Sequence, residues 1–214
     1  MSAFTVQPNL QEQLDQFKQQ RAQANPEIFA LRQRETEKLI ATGIAEQSFH
    51  TGNTAPDFTL PDAYGKMVNL SGLLKNGSVV LAFYRGEGCP YCNLMLRAYQ
   101  AIMPELTALG ATLIAVSPQL PDFAAAMISK ADLTFPVLSD VGNHVARRYR
   151  LLFTLPESLR SYSANIPQSN GDDSWELPMP GTFVIQPDGL IRLAFVPADY
   201  TQRLEPAAIL DALR

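Results

Sequence analysis

The stretch Val79–Asn93, VVLAFYRGEGCPYCN, limits the fold more than any other part of this sequence. Its first six residues are apolar or aromatic without a break, the pattern of a strand buried on both faces. Gly86 and Gly88 end the run and free the backbone to turn. Cys89 then stands where a helix can begin, with Pro90 at its first position and the helix predicted to continue through Asn93–Leu109. A strand thus delivers one thiol to a helix N-terminus, and a second, Cys92, follows three residues on. These are the only two cysteines of the chain, and chance spaces a pair this way in about one sequence in a hundred.

The placement has chemical consequences. The thiolate is the reactive species, and a helix N-terminus or a CxxC setting lowers a cysteine from about 8.5 to roughly 3.5–7.5. Backbone N–H groups and the helix dipole supply positive potential, and Arg85 is a cation close by. Cys92 is near enough to close a disulfide with an oxidised Cys89. The pattern points to a two-thiol redox cycle in which Cys89 attacks an oxidant or a disulfide and Cys92 resolves the product. Two other readings stay open. The pair can be buried structural cysteines, or half of a Cys2His2 metal set with His50 and His144, although those histidines lack ligand spacing.

Global properties narrow the class. A length of 214 residues suits one domain plus an extension, divided here as residues 1–50 and 51–214, and 46% apolar residues suffice for a sizeable core. Seventeen basic against 21 acidic residues leave a net charge of −4, which argues against a nucleic-acid-binding surface. No apolar run approaches the ~20 residues of a membrane span, and the first residues lack the basic-then-apolar order of a secretory signal. A reducing cytoplasm is the expected location, where a lone CxxC reads as catalytic.

Along the chain, residues 9–47 read as two helices broken at Asn25-Pro26, with a narrow apolar stripe (Leu10, Leu14, Phe17). Such a hairpin can dock on the domain, form a homodimer contact, or lie over the thiol. Short strands are predicted at Phe58–Leu60 and Met67–Leu70, then a short helix, then the buried strand. Ala111–Val116 is a second buried strand, giving a right-handed parallel βαβ unit. A helix over Asp122–Ala131 with Asp122 as N-cap, a strand at Pro136–Leu138 and a helix over Asp140–Leu151 follow. Thr154–Pro180 reads as a long irregular loop, and Trp175 within it as either a ligand contact or an anchor. Thr182–Gln186 and Ile191–Val196 form an antiparallel hairpin, and Glu205–Arg214 a final helix. The fold class is α/β, a mixed central sheet with helices on both faces plus an N-terminal helical extension.

The order of elements, Cys-Pro-Tyr-Cys at a strand-to-helix junction, and Met179-Pro180-Gly181-Thr182-Phe183 before the late hairpin resemble the thioredoxin fold. In that fold a cis-proline loop faces the CxxC, and Pro180 matches that position. More narrowly, APDFTLPDAYGKMVNLS, FYRGEGCPYCN, NGDDSWELPMPGTFVIQPDG and FVPADYTQRLEP look like the peroxiredoxin-like branch of the alkyl hydroperoxide reductase/thiol-specific antioxidant family. The resemblance implies thiol-dependent reduction of hydroperoxides, with recycling by thioredoxin, glutaredoxin or a small thiol and without a cofactor or metal. Cys89 would be the peroxidatic cysteine and Cys92 its disulfide partner, with Arg85, Pro180 and Thr182 in support. The sequence departs from the family at two places: Gly86 replaces the hydroxyl residue three before the reactive cysteine, and Ala82 replaces a proline seven before it. The family's active-site arginine has Arg85, Arg147 and Arg148 as candidates. A thioredoxin-like dithiol–disulfide oxidoreductase and a non-catalytic redox sensor or binding module are the alternative functions.

Overall fold

The computed structural model describes residues 9–214. Residues 1–8, on which the expectation about a secretory signal falls, lie outside the described residues. Two helices open the chain, α1 (Leu10–Ala24) and α2 (Pro26–Ala41). Asn9 caps α1 in a capping box with Glu12, and the Asn25 side chain caps α2, whose first residue is Pro26. A small antiparallel pair follows, β1 (Thr59–Pro61) and β2 (Met67–Asn69), then α3 (Leu70–Leu74). The buried strand is β3 (Val79–Phe83), followed by α4 (Pro90–Ala101) and α5 (Met103–Ala108). The single helix expected over Asn93–Leu109 is therefore two. Pro104 lacks the N–H that a continuous helix needs, and the break falls at Ile102.

The chain continues through β4 (Thr112–Ser117), α6 (Pro121–Ala131), β5 (Val137–Ser139) and α7 (His144–Arg148). Two expectations are corrected here. Helix α6 begins at Pro121 with Leu120 as N-cap, so Asp122 sits in the first turn. The helix expected over Asp140–Leu151 is only five residues long, because Gly142 and Asn143 adopt left-handed conformations ahead of it. The Asp140 carboxylate accepts the Val145 and Ala146 N–H groups and so caps α7 from outside.

Thr154–Pro180 is not irregular. It lies among β6 (Leu152–Thr154), α8 (Glu157–Arg160), α9 (Ile166–Asn170) and β7 (Glu176–Pro178), with β6 and β7 paired antiparallel. Trp175 anchors this segment: it packs on the small core of Leu155, Leu159 and Leu177, and the Arg160 guanidinium lies 5.2 Å over its ring. The chain ends in β8 (Gly181–Ile185), β9 (Ile191–Phe195) and α10 (Pro206–Leu213).

Five strands form the central sheet in the order β5-β4-β3-β8-β9, with β3, β4 and β5 parallel and β8 and β9 antiparallel. Every residue of β3 is buried, and alternate residues serve opposite faces. Val80 and Ala82 pack with Tyr84 against α4, α6 and α10, whereas Val79, Leu81 and Phe83 pack against Phe58, Leu70 and Tyr149.

The apolar stripe of α1 is spent on this chain's own domain. Leu10 and Leu14 are buried beside Met95 and Tyr99, and Phe17 meets Tyr91 edge to face at 5.2 Å. The Glu205 carboxylate accepts the Leu10 and Gln11 N–H groups at 3.2 and 2.6 Å, which fixes the start of α1 to the start of α10. No helix among the described residues is long and apolar enough to cross a membrane.

Candidate active site

The turn between β3 and α4 is built from its glycines. Gly86 has φ 141°, a conformation that side chains rarely adopt, and a Cβ there would lie 2.7 Å from the Gln119 side chain. Gln119 is only 3% exposed, and its Oε1 accepts the Glu87 N–H at 2.6 Å. A glutamine amide from the loop after β4 thus occupies the space that a hydroxyl side chain at position 86 would need.

Cys89 is the N-cap of α4 and is partly exposed, whereas Cys92 is fully buried. Both are free thiols with their sulfurs 2.7 Å apart, against about 2.05 Å in a disulfide. The Arg203 guanidinium donates to the Cys92 sulfur at 3.3 Å. Arg203 is 5% exposed and also donates to the Tyr200 and Gln202 carbonyls at 2.6 Å each. No carboxylate pairs with it among the described residues, so its natural counter-charge is the thiolate.

Burial pushes the Cys92 thiol up, but a hydrogen bond from Cys89, the Arg203 guanidinium and the Arg85 backbone and charge outweigh it and hold Cys92 down at about 5. The hydrogen bond to Cys92, together with burial, raises Cys89 well above the ordinary thiol range. The two sulfurs titrate as one unit. At neutral pH the pair shares one proton across the 2.7 Å contact between the sulfurs and carries one negative charge, beside Arg203.

Arg85, expected beside the thiols, contributes its backbone N–H and charge there, while its guanidinium lies over the Tyr200 and Phe153 rings at 5.0 and 5.5 Å. Thr182 lies in β8, away from the opening, where its hydroxyl meets the Tyr99 hydroxyl at 3.0 Å. Tyr99 in turn donates to the Leu204 carbonyl at 3.0 Å, tying the Arg203 loop to α4. Tyr99→Phe is expected to cost about 1–2 kcal/mol in denaturant unfolding and to raise the pH at which the first thiol ionises, seen by thiolate absorbance.

The cis-proline expectation is overturned. The described chain has no cis peptide bond, so Met179–Pro180 is trans. Pro180 joins β7 to β8 within extended backbone, and the Met179 N–H donates to Leu151 at 2.7 Å. Pro180 lines an apolar cavity under α2 rather than the Cys89 opening. The loop that faces the thiols is the one carrying Arg203. Arg147 is ion-paired with Glu176 at 2.6 Å, and neither Arg147 nor Arg148 lines the Cys89 cavity. The metal reading has no support in position: His50 bonds the Glu46 carbonyl, and no three candidate ligands cluster among the described residues.

Cys89 opens into a cavity of about 290 Å³. Its floor is Arg85, Tyr91, Gln119 and Tyr200, one side is the α8–α9 segment, and its roof is α1 and α2, through Arg21, Phe29 and Arg32. The N-terminal helices therefore dock on the domain and also cover the thiol.

Residues 51–194, two thirds of the chain, match the AhpC/TSA family. The chain belongs to this family. Among its relatives is the chloroplastic peroxiredoxin Q of Triticum aestivum, 33% identical over 121 residues, which are 56% of this chain and 55% of the relative. The match thus spans little more than half of that relative's own length. The fold is shared with the peroxidoxin BcpB of Mycobacterium tuberculosis, with a TM-score of 0.62 and 24% identity over 77% of this chain and 96% of that one. It is shared too with the bacterioferritin comigratory protein of Xanthomonas campestris, described for its alkyl peroxide reduction, at a TM-score of 0.56 and 19% identity over 73% of this chain and 89% of that one. Several residues of the site fall outside the family match: Tyr200 and Arg203 follow it, and the roof residues Arg21, Phe29 and Arg32 precede it. Arg203 was missed although it lies in the stretch FVPADYTQRLEP that carries the resemblance, because it stands 111 residues from Cys92 and the arginine candidates lie elsewhere in the chain.

Proposed function

We propose that this chain is a thiol peroxidase that reduces hydroperoxides through Cys89, with Cys92 as resolving partner. The observation that carries this reading is a partly exposed thiol in a cavity, 2.7 Å from a buried sulfur that accepts a hydrogen bond from the Arg203 guanidinium. Membership of the AhpC/TSA family and the alkyl peroxide reduction described for the Xanthomonas protein support it.

The chemistry runs through the shared proton. As the Cys89 sulfur attacks the nearer peroxide oxygen, the Cys92 thiolate takes the Cys89 proton. An S–O bond forms, the O–O bond breaks, and the proton relayed through Cys92 passes to the leaving alkoxide, giving an alcohol. Cys89 is then a sulfenic acid and Cys92 again a thiolate. Attack of Cys92 on the Cys89 sulfur forms the disulfide and expels hydroxide, which takes a proton from solvent and leaves as water. Two thiols have lost two electrons, and the hydroperoxide has gained them. An external dithiol or small thiol, of the thioredoxin, glutaredoxin or glutathione type, restores the pair by exchange. In this reading residues 51–214 form the redox domain and residues 1–50 a helical extension over its site, working in a reducing compartment such as the cytoplasm.

Stopped-flow oxidation of the reduced protein by hydrogen peroxide and an organic hydroperoxide, with thiols counted before and after, tests the proposal. Both thiols should be lost far faster than a free thiol reacts. Cys89→Ser should abolish the reaction, and Cys92→Ser should stop after one equivalent at a sulfenic acid that a diketone traps. Oxidation no faster than that of a free thiol, with rapid reduction of an added disulfide, would move the assignment to a dithiol–disulfide oxidoreductase.

A further inference from the structure

Three guanidinium groups line the cavity that holds Cys89, and no carboxylate does. Arg21 and Arg32 come from the roof helices and Arg85 from the floor. Such a concentration stands out in a chain of net charge −4. None of the three belongs to an ion pair among the described residues. The Arg32 Nε is buried with no hydrogen-bond partner, and a buried donor of this kind calls for an acceptor that the protein does not supply. A second cavity of about 220 Å³ shares Arg32, Arg85 and Tyr200 as a common wall; its apolar side is Leu39, Leu155 and Met179, and the ion-paired Glu35 and Lys38 also line it. A cationic space containing a thiol thus adjoins an apolar one.

We propose that this cavity selects organic hydroperoxides that carry a carboxylate. The carboxylate is held by Arg32, with Arg21 at the rim, and the hydrocarbon part reaches the apolar neighbour. A guanidinium fork matches a carboxylate in shape as well as charge. Arg21 and Arg32 both precede the segment that matches the family, so the charge preference belongs to the extension of this chain. The inference rests on the peroxidase reading for its chemistry, though the anion site itself does not.

The test compares linoleic acid hydroperoxide with its methyl ester, which differs in charge alone. The full-length protein should oxidise about tenfold faster with the acid at low ionic strength, and added salt should slow the acid and spare the ester. Arg21→Gln/Arg32→Gln should bring the ratio of the two rates close to one, and Arg21→Lys/Arg32→Lys should retain most of it. In parallel, calorimetry should detect binding of nonanoate and none of nonanol to the reduced protein, with nonanoate binding lost in the glutamine variant. Equal rates for acid and ester together with no nonanoate binding would overturn the inference and leave the peroxidase reading standing. Arginine-dependent nonanoate binding with neither hydroperoxide reduced would do the reverse, refuting the peroxidase and retaining the anion site.

Discussion

Replacing Arg203 by methionine is expected to slow peroxide oxidation at pH 7 by roughly several-fold, because the first thiol then ionises at a higher pH and a smaller share of the pair is thiolate. In the native protein the guanidinium 3.3 Å from Cys92 helps hold that sulfur at about 5, so the pair is already charged at pH 7. Methionine keeps much of the volume and removes the cation; Cys92 loses its counter-charge and the Tyr200 and Gln202 carbonyls lose a donor, so circular dichroism of the variant must first show the native fold. Thiolate absorbance against pH would report the shift directly, and the rate should recover as the pH is raised towards 9. Stability gives an independent check. A thiol held low in the folded state, against an ordinary value of 9.0, contributes stability that is full above pH 9 and lost as the pH falls through about 5. Urea unfolding of the reduced protein should show this rise between pH 5 and 9, and Arg203→Met should flatten it. An unchanged titration would remove Arg203 from the machinery.

Restoring the hydroxyl that the family carries at position 86 is expected to damage this protein. Gly86→Thr places a β-branched residue at φ 141° and drives its Cβ to 2.7 Å from the Gln119 side chain. Gln119 is buried and bonded to the Glu87 N–H, so it cannot yield without leaving that donor unpaired. Backbone strain and overpacking each cost about 1–3 kcal/mol, and the melting temperature of the variant should fall by several degrees at least. Gly86→Thr/Gln119→Gly should relieve the clash, while the backbone strain remains and the Glu87 N–H loses its acceptor. Full activity and native stability in Gly86→Thr alone would refute the view that Gln119 has taken the place of the hydroxyl.

The parts legible in sequence are those written in local pattern. The apolar run of β3, the turn glycines and the cysteine spacing all fall within fifteen consecutive residues, and the Asp-Gly turn announced the β8–β9 hairpin. The parts that were not legible depend on contacts between distant segments. Helices α8 and α9 have four and five residues, too few to show a helical period or to stand alone without packing. Gly142 and Asn143 cut one helix expectation short through left-handed conformations that apolar periodicity does not show. Arg203 and the arginines of α1 and α2 become site residues only once the C-terminal loop and the N-terminal hairpin fold back over Cys89.

The buried cation at Arg203 also sets the energetics of electron exchange. In the reduced protein its charge is balanced by the Cys92 thiolate, and forming the disulfide erases that balance while leaving the guanidinium in place. The oxidised form is therefore the less favourable one electrostatically, so its reduction potential is shifted upward and weak thiol reductants can recharge it. Between pH 5 and the raised range of Cys89, two electrons enter with only one proton. The potential should then change by about 30 mV per pH unit, half the slope of an ordinary dithiol.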